Sequence, residues 1–369
     1  MTRVLQISTP FLPITPNLGY GGTERIVYLL DKELSKKGIS LGVVAPMDSE
    51  PASRLFPTIK NSIGVSGILD ESQKGPGEMY LRLDHITRSI KHANDNEVDV
   101  VHIHDDNMFA FGEFIKSPSV LTLHTVYELF WENSLHTFTE NAKTKLIAIS
   151  NSQKKIYESN GYRVDFVVHH GIDEEQFSLS EKNNYLLSLG CIHPLKRQED
   201  VIEVSRRTGL DAVIAGNIGN NTYFREKVLP FIDFDISNET DKFNAYLELP
   251  SLTRPKIVYT GTVNDKQKEP LYSHASAFLM PLGLEEPFGL VMVEAMMSGT
   301  SVIAYNRGSV PELVIPEKTG FVVGGLEEMI EAVNQVSKID PSSCRVNAIK
   351  RFSSKRMADD YEKLYKSVK

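Results

Sequence analysis

Two carboxylates, Glu286 and Glu294, stand eight positions apart in LEEPFGLVMVEAMMSGTSVIAY, residues 284–305. Glu286 precedes Pro287, which disfavours helix at the residue before it, so Glu286 belongs to a loop. Glu294 falls inside the apolar helix that follows. Pro287 and Gly289 shape a turn that brings the N–H groups of Gly289, Leu290 and Val291 to the helix mouth, where an anion is favoured. An unpaired carboxylate among Leu290, Val291 and their neighbours is costly, and a bound polyol donating hydroxyl hydrogen bonds to Glu294 removes that cost. A lone glutamate on such a helix otherwise reads as a surface residue.

Other residues have the chemistry to join this pair. In LGCIHPLKRQEDV, residues 189–201, Lys196 and Arg197 follow a strand and suit a diphosphate, although a Lys-Arg pair before a helix also reads as solvated surface. Gly19, Gly21 and Gly22 precede a helix whose first turn holds Thr23 and Glu24. They allow close approach to a ligand anion, or mark a flexible turn. GYGG is not the G-x-G-x-x-G fingerprint, and no acidic residue closes the second strand, which argues against a nicotinamide cofactor. His104, Asp105 and Asp106 end the strand VDVVHIH. Adjacent carboxylates there suit Mg²⁺, or simply cap the next helix. Arg82, His85, Arg88 and His92 share one helical face that could meet a lipid or an anionic acceptor, and read better as a solvated face. Cys191 and Cys344 lack metal-ligand spacing and are expected to be reduced.

Apolar strands alternating with helices position these residues. RVLQIS, LGVVAP, VDVVHIH, SVLTLH, KLIAIS and DFVVHHGID lie in the first half of the chain. NYLLSLG restarts the plan, followed by DAVIAG, KIVYTG, AFLMP, TSVIAY and GFVV. Strands apolar throughout describe parallel sheets covered on both faces. The expectation is α/β: two doubly wound, Rossmann-like domains facing each other across a cleft that forms the default ligand site. The boundaries expected are a first domain at 1–173, a linker at 174–184, a second domain at 185–350 and a closing helix at 351–369. Residues 217–254 read as a polar surface excursion around one short helix.

The 369 residues carry a net charge of -8, with 17 Lys+Arg against 23 Asp+Glu up to residue 175 and 23 against 25 thereafter. An acidic chain is a poor partner for nucleic acid and makes at most weak peripheral membrane contact. The opening MTRVLQIS is unlike a signal peptide and no apolar run reaches membrane-spanning length, so a soluble cytoplasmic protein is expected.

The E-x7-E block from Glu286 to Glu294, with GYGGTE and a lysine after the restart strand, resembles retaining glycosyltransferase family 4, of the GT-B fold. The resemblance runs through nearly the whole chain, and it implies that the closing helix at 351–369 packs back toward the first domain. It implies that Glu294 binds the ribose hydroxyls of a nucleotide-sugar donor and that Glu286 contacts the donor sugar. Backbone around Phe288, Gly289 and Leu290 would hold sugar and diphosphate, with Gly21, Gly22, Lys196 and Arg197 facing the diphosphate. His124, in LTLHTVYE, would approach the sugar hydroxyls, so Glu286, His124 and Lys196 carry the catalytic roles. His104 and Asp105 are assigned to the acceptor side. No cofactor or metal is implied. Family members usually place arginine directly after the strand glycine, and here Cys191 stands in its place, leaving Lys196, Arg197 or a cation such as His193 to meet the diphosphate. The reaction implied is retaining transfer of a hexosyl group to an acceptor hydroxyl. A nucleotide-sugar-binding subunit without transferase activity, or a GT-B epimerase, are the alternatives.

Overall fold

The computed structural model describes residues 2–16, 18, 21–65, 75–126 and 143–369. Gly19, and residues 127–142 of the helical stretch expected before the KLIAIS strand, lie outside the described residues. The chain divides into two compact units, one formed by residues 1–171 with 354–369 and the other by residues 172–353.

Unit 1 is built on seven parallel strands: β1 (Val4–Ile7), β2 (Ser40–Ala45), β3 (Leu55–Pro57), β4 (Val100–Ile103), β5 (Ser119–Thr122), β6 (Lys145–Ala148) and β7 (Phe166–Val167). They lie in the order β3-β2-β1-β4-β5-β6-β7. Every residue of β1, β4 and β5 is buried, as the uninterrupted apolar runs require of strands covered on both faces. Helix α1 (Gly22–Lys36) buries Ile26, Val27, Leu29, Leu30 and Leu34, one stripe at helical spacing. Helix α2 (Pro76–Asp95) follows, then α3 (Asn151–Ser159), whose first turn is capped by the Ser150 hydroxyl accepting from the Gln153 N–H.

Unit 2 repeats the plan with β8 (Tyr185–Leu189), β9 (Asp211–Ala215), β10 (Phe234–Asp235), β11 (Ile257–Tyr259), β12 (Ala277–Met280), β13 (Ser301–Tyr305) and β14 (Gly320–Val323). The order is β10-β11-β9-β8-β12-β13-β14, again all parallel. Its longer helices are α4 (Gln198–Thr208), α5 (Asp265–His274), α6 (Leu290–Met297), α7 (Leu326–Val333) and α8 (Pro341–Phe352). After α8 the chain contributes α9 (Ser354–Val368) to unit 1. Strand order reverses at β1 in the first sheet and at β8 in the second. In sheets of this kind the crevice for ligand opens beside the carboxyl end of the strand where the order reverses.

Three expectations change. Residues 174–184 are tied into unit 2: Arg345 donates to the Glu174 carbonyl, and the Lys182 ammonium donates to the Ser273 carbonyl and the Thr300 hydroxyl, both at 2.7 Å. The excursion at 217–254 adds β10 to the sheet edge and sinks Tyr223, Phe224 and Val228 into the core, because its aromatic residues outweigh its polar composition. On α2, His85 is fully buried, bonded to Thr58 Oγ1 at 2.8 Å and the Ser8 carbonyl at 2.9 Å. Arg82 and Arg88 instead pair with Glu78 and Asp84 one turn before them. Among the described residues no helix is long and apolar enough to cross a membrane.

Candidate functional site

In unit 2 the loops after β8 and β12 bring two of the sequence candidates together. Lys196 Nζ lies 2.8 Å from Glu286 Oε2 across a sequence separation of 90 residues, with the lysine 26% and the glutamate 15% exposed. Backbone fixes the Glu286 loop: the Ser309 N–H donates to the Glu286 carbonyl at 2.9 Å, and the Ser309 hydroxyl donates to the Phe288 carbonyl at 2.8 Å. Gly308 makes this possible. It has a φ of 57°, and a Cβ there would stand 2.2 Å from the Glu286 carbonyl oxygen. Gly289, with a φ of 83°, turns the chain into α6, while Phe288 is buried against Phe352. Leu290 begins the helix.

Glu294 is 3% exposed. Its Oε1 lies 2.6 Å from the Lys268 ammonium, and Tyr272 donates its hydroxyl to Oε2 at 3.1 Å. Lys268 also reaches Asp265 Oδ1 at 2.9 Å. The carboxylate that the sequence left in an apolar setting is therefore already paired, by two residues one turn apart on α5.

The residues beside Lys196 have partners of their own. Arg197, in the left-handed conformation with φ 50°, directs its guanidinium to Asp200 at 2.7 Å, and Tyr305 donates to the same carboxylate at 2.6 Å. His193 Nδ1 accepts the Leu195 N–H at 3.2 Å. The Cys191 thiol lies against Gly219, where a Cβ would stand 2.2 Å from the sulfur.

In unit 1 the candidates gather at the carboxyl ends of β1, β4 and β5. Gly21, with φ 126°, is closely hemmed in by Leu12, Leu18 and the Glu24 carboxylate. Gly22 starts α1. Glu24 accepts from the Thr9 hydroxyl at 2.6 Å, and burial raises its pKa above the usual 4.5 despite that bond. Asp105 is 3% exposed and caps the short helix at Asp106–Phe114, its Oδ1 accepting from the Asn107 N–H at 3.0 Å.

Four imidazoles stand in a row here. His104 Nδ1 lies 2.9 Å from His124 Nε2, and its Nε2 lies 3.2 Å from Gln6 Oε1. His124 stacks on His170 at 5.1 Å between ring centres, and His104 lies against His102 at 3.9 Å. His102 is held by the Tyr365 hydroxyl at 2.7 Å and Thr122 Oγ1 at 2.8 Å. Burial pushes His102, His104 and His170 well below the usual 6.5, and takes His124 down to about 3. All four are neutral near pH 7. Among the described residues no group of three or more His, Cys, Asp or Glu is placed to hold a metal ion.

A model of the group 1 glycosyl transferases matches residues 171–351, and a model of glycosyltransferase family 4 matches residues 20–176. The chain belongs to glycosyltransferase family 4. A protein from the cps region of Klebsiella pneumoniae is 32% identical to this family 4 chain over 127 residues, 31% of this chain and 34% of that one. An uncharacterized glycosyltransferase of Methanocaldococcus jannaschii is 24% identical over 250 residues, 62% of this chain and 63% of that one. The matched stretches thus cover between a third and just under two-thirds of these relatives. Among solved structures, HepE of Anabaena in complex with UDP-glucose superposes with a TM-score of 0.70 at 16% identity, covering 100% of both chains. The two seven-stranded parallel sheets are those of the GT-B fold.

Sequence reasoning about this family 4 chain passed over Lys268, Tyr272, Gly308, Ser309, Gln6, His102 and His170. One signal was available: alternation along VHIH puts His102 and His104 on one face of β4. The others meet their partners only through tertiary packing.

Proposed function

We propose that the protein transfers a hexosyl group from a nucleoside diphosphate sugar to an acceptor hydroxyl, with retention of configuration at the anomeric carbon. The observation that carries this reading is the Lys196–Glu286 pair, set beside the strand at which the second sheet reverses its order. A diphosphate arriving there meets a cation on a short tether, close to the Gly289 turn that opens α6. Stabilising the departing diphosphate while positive charge grows on the sugar ring is the main catalytic task, and fixed cations suit it. The bond from the anomeric carbon to the phosphate oxygen breaks and the bond to the acceptor oxygen forms on the same face. The departing phosphate oxygen accepts the acceptor's proton, so no side-chain nucleophile is required. Glu286 contacts the donor sugar, Glu294 the nucleoside ribose and His124 a sugar hydroxyl, while Asp105 belongs to the acceptor side and His104, expected there too, spends both ring nitrogens on Gln6 and His124 and stands behind His124 instead. HepE, crystallised with UDP-glucose, supports a nucleotide-sugar donor. No bound metal is part of this reading, so turnover is expected to persist in excess chelator.

Cys191, which brings no charge where family members carry arginine, favours the second reading of a nucleotide-sugar-binding subunit. Calorimetric titration with UDP, GDP and ADP, on the wild type and on Glu294→Ala, is the test. Binding of one nucleotide, lost in the variant, is expected; no binding by any of the three sinks both readings. Product analysis then separates them, since transfer gives a glycoside, epimerisation a sugar isomer, and a binding subunit neither.

A further inference from the structure

The row of imidazoles in unit 1 contains two networks with different ends. His102 spends both ring nitrogens inside the protein, on Tyr365 and Thr122, and Thr122 is bonded in turn to Tyr361. The second chain, Gln6–His104–His124, starts on the fully buried Gln6 in the middle of β1 and ends on the partly exposed His124. Its proton positions depend on which way the Gln6 amide is turned. A neutral imidazole has one donor and one acceptor nitrogen, and Gln6 Oε1 can only accept. With the Gln6 oxygen turned toward it, His104 carries its proton on Nε2 and leaves Nδ1 bare. Facing that bare nitrogen at 2.9 Å, His124 Nε2 must donate. His124 Nδ1 is then a lone pair, and it has no partner among the described residues.

We propose that Gln6 and His104 are positioning residues that lock the proton of His124 on Nε2, so that His124 Nδ1 meets a ligand as a hydrogen-bond acceptor and selects a hydroxyl. This deepens the reading of His124 given above and rests on it for the identity of the ligand. A bare ring nitrogen repels carboxylate and phosphate oxygens and accepts from O–H. The rings that face His124 are His104 and His170, with Arg356 beyond His170, so no carboxylate among them would favour a second proton. The arrangement carries a cost, because Gln6 Nε2 is buried without a partner among the described residues. Turning the amide over would satisfy that group and reverse every proton in the chain.

The first test needs no substrate. In protein labelled with ¹⁵N-histidine, long-range ¹H–¹⁵N spectra, assigned through His124→Asn, are expected to show His104 and His124 protonated on Nε2 and bare on Nδ1. Gln6→Met, of similar shape without an acceptor, is expected to release both rings into a tautomer mixture, and Gln6→Glu, which restores an acceptor oxygen, to hold them. A proton on His124 Nδ1, or rings unmoved by Gln6→Met, overturns the proposal. The second test is kinetic, using donor sugars with one hydroxyl at a time replaced by fluorine, which accepts but cannot donate. For the wild type one position is expected to lose about tenfold in kcat/KM, the worth of one hydrogen bond, and Gln6→Met to lose that discrimination. Discrimination unchanged by Gln6→Met counts against the proposal. A chain that turns over no nucleotide sugar yet shows the Nε2-protonated pair sinks the transferase reading and leaves the positioning pair standing.

Discussion

Lys268 shows how one side chain can decide what a neighbouring residue is able to do. Burying a carboxylate as deeply as Glu294 is costly unless it is paired, and Lys268 at 2.6 Å with the Tyr272 hydroxyl at 3.1 Å provides that pairing. Removing one partner of a buried pair strands the other charge, at a cost of about 3–5 kcal/mol. Lys268→Met is therefore expected to lower the stability of unit 2 by that amount in urea unfolding, and adding Glu294→Gln to recover part of it. A single variant as stable as the wild type would mean that Glu294 has other compensation. The sequence pointed to Glu294 through its spacing from Glu286, yet Lys268 stayed hidden. Its side chain, four residues from Tyr272 in an ordinary amphipathic stretch, acquires meaning only when α5 packs beside α6. Lys196 and Glu286 were each legible, and the contact between them follows from β8 and β12 being neighbours.

Strands and helices were legible where they are long and apolar. β3 and β10, of three and two residues at sheet edges, were not, since so short a run has no period to read. The face of the first sheet presenting Gln6, His102, His104 and Thr122 beneath α9 has a measurable consequence. The folded pKa values of His102, His104, His124 and His170 are depressed below 6.5 by burial, so below that pH the unfolded chain binds more protons than the folded one. The stability these neutral rings allow is present above pH 6.5 and is lost as pH falls toward the folded values, by up to about 1.4 kcal/mol per pH unit per ring. Glu24, with its folded pKa raised, acts in the opposite sense, but a single carboxyl does not offset four rings. Calorimetry between about pH 7.5 and about pH 5 is expected to show the transition of unit 1 falling steeply below pH 6.5. If it holds its Tm across that range, the rings are charged in the fold and their burial has been misread.

The whole chain is organised by a discontinuity: unit 1 takes its first 171 residues and its last 16, with unit 2 between them. The resemblance to family 4 pointed this way, since it implies a closing helix packed toward the first domain, whereas the residue pattern of α9 alone does not say which sheet a terminal helix joins. Within unit 1 its contribution is specific. Tyr361 and Tyr365 are fully buried and bond Thr122 and His102. Arg356 donates to the His169 and His170 carbonyls, and Lys37, the residue that follows α1, pairs with Asp359 and Glu362. Removing residues 354–369 would expose the imidazole face of the sheet, leave the Thr122 and His102 side chains short of partners and open the α1 surface, while every strand of unit 2 keeps its neighbours. Hydrogen exchange on a chain ending at Ser353 is therefore expected to show β1, β4 and β5 losing protection and β8, β12 and β13 retaining it. Equal loss in both sheets would mean that the two units fold as a single cooperative body, and unchanged protection in β4 would mean that α9 is not what closes the histidine face.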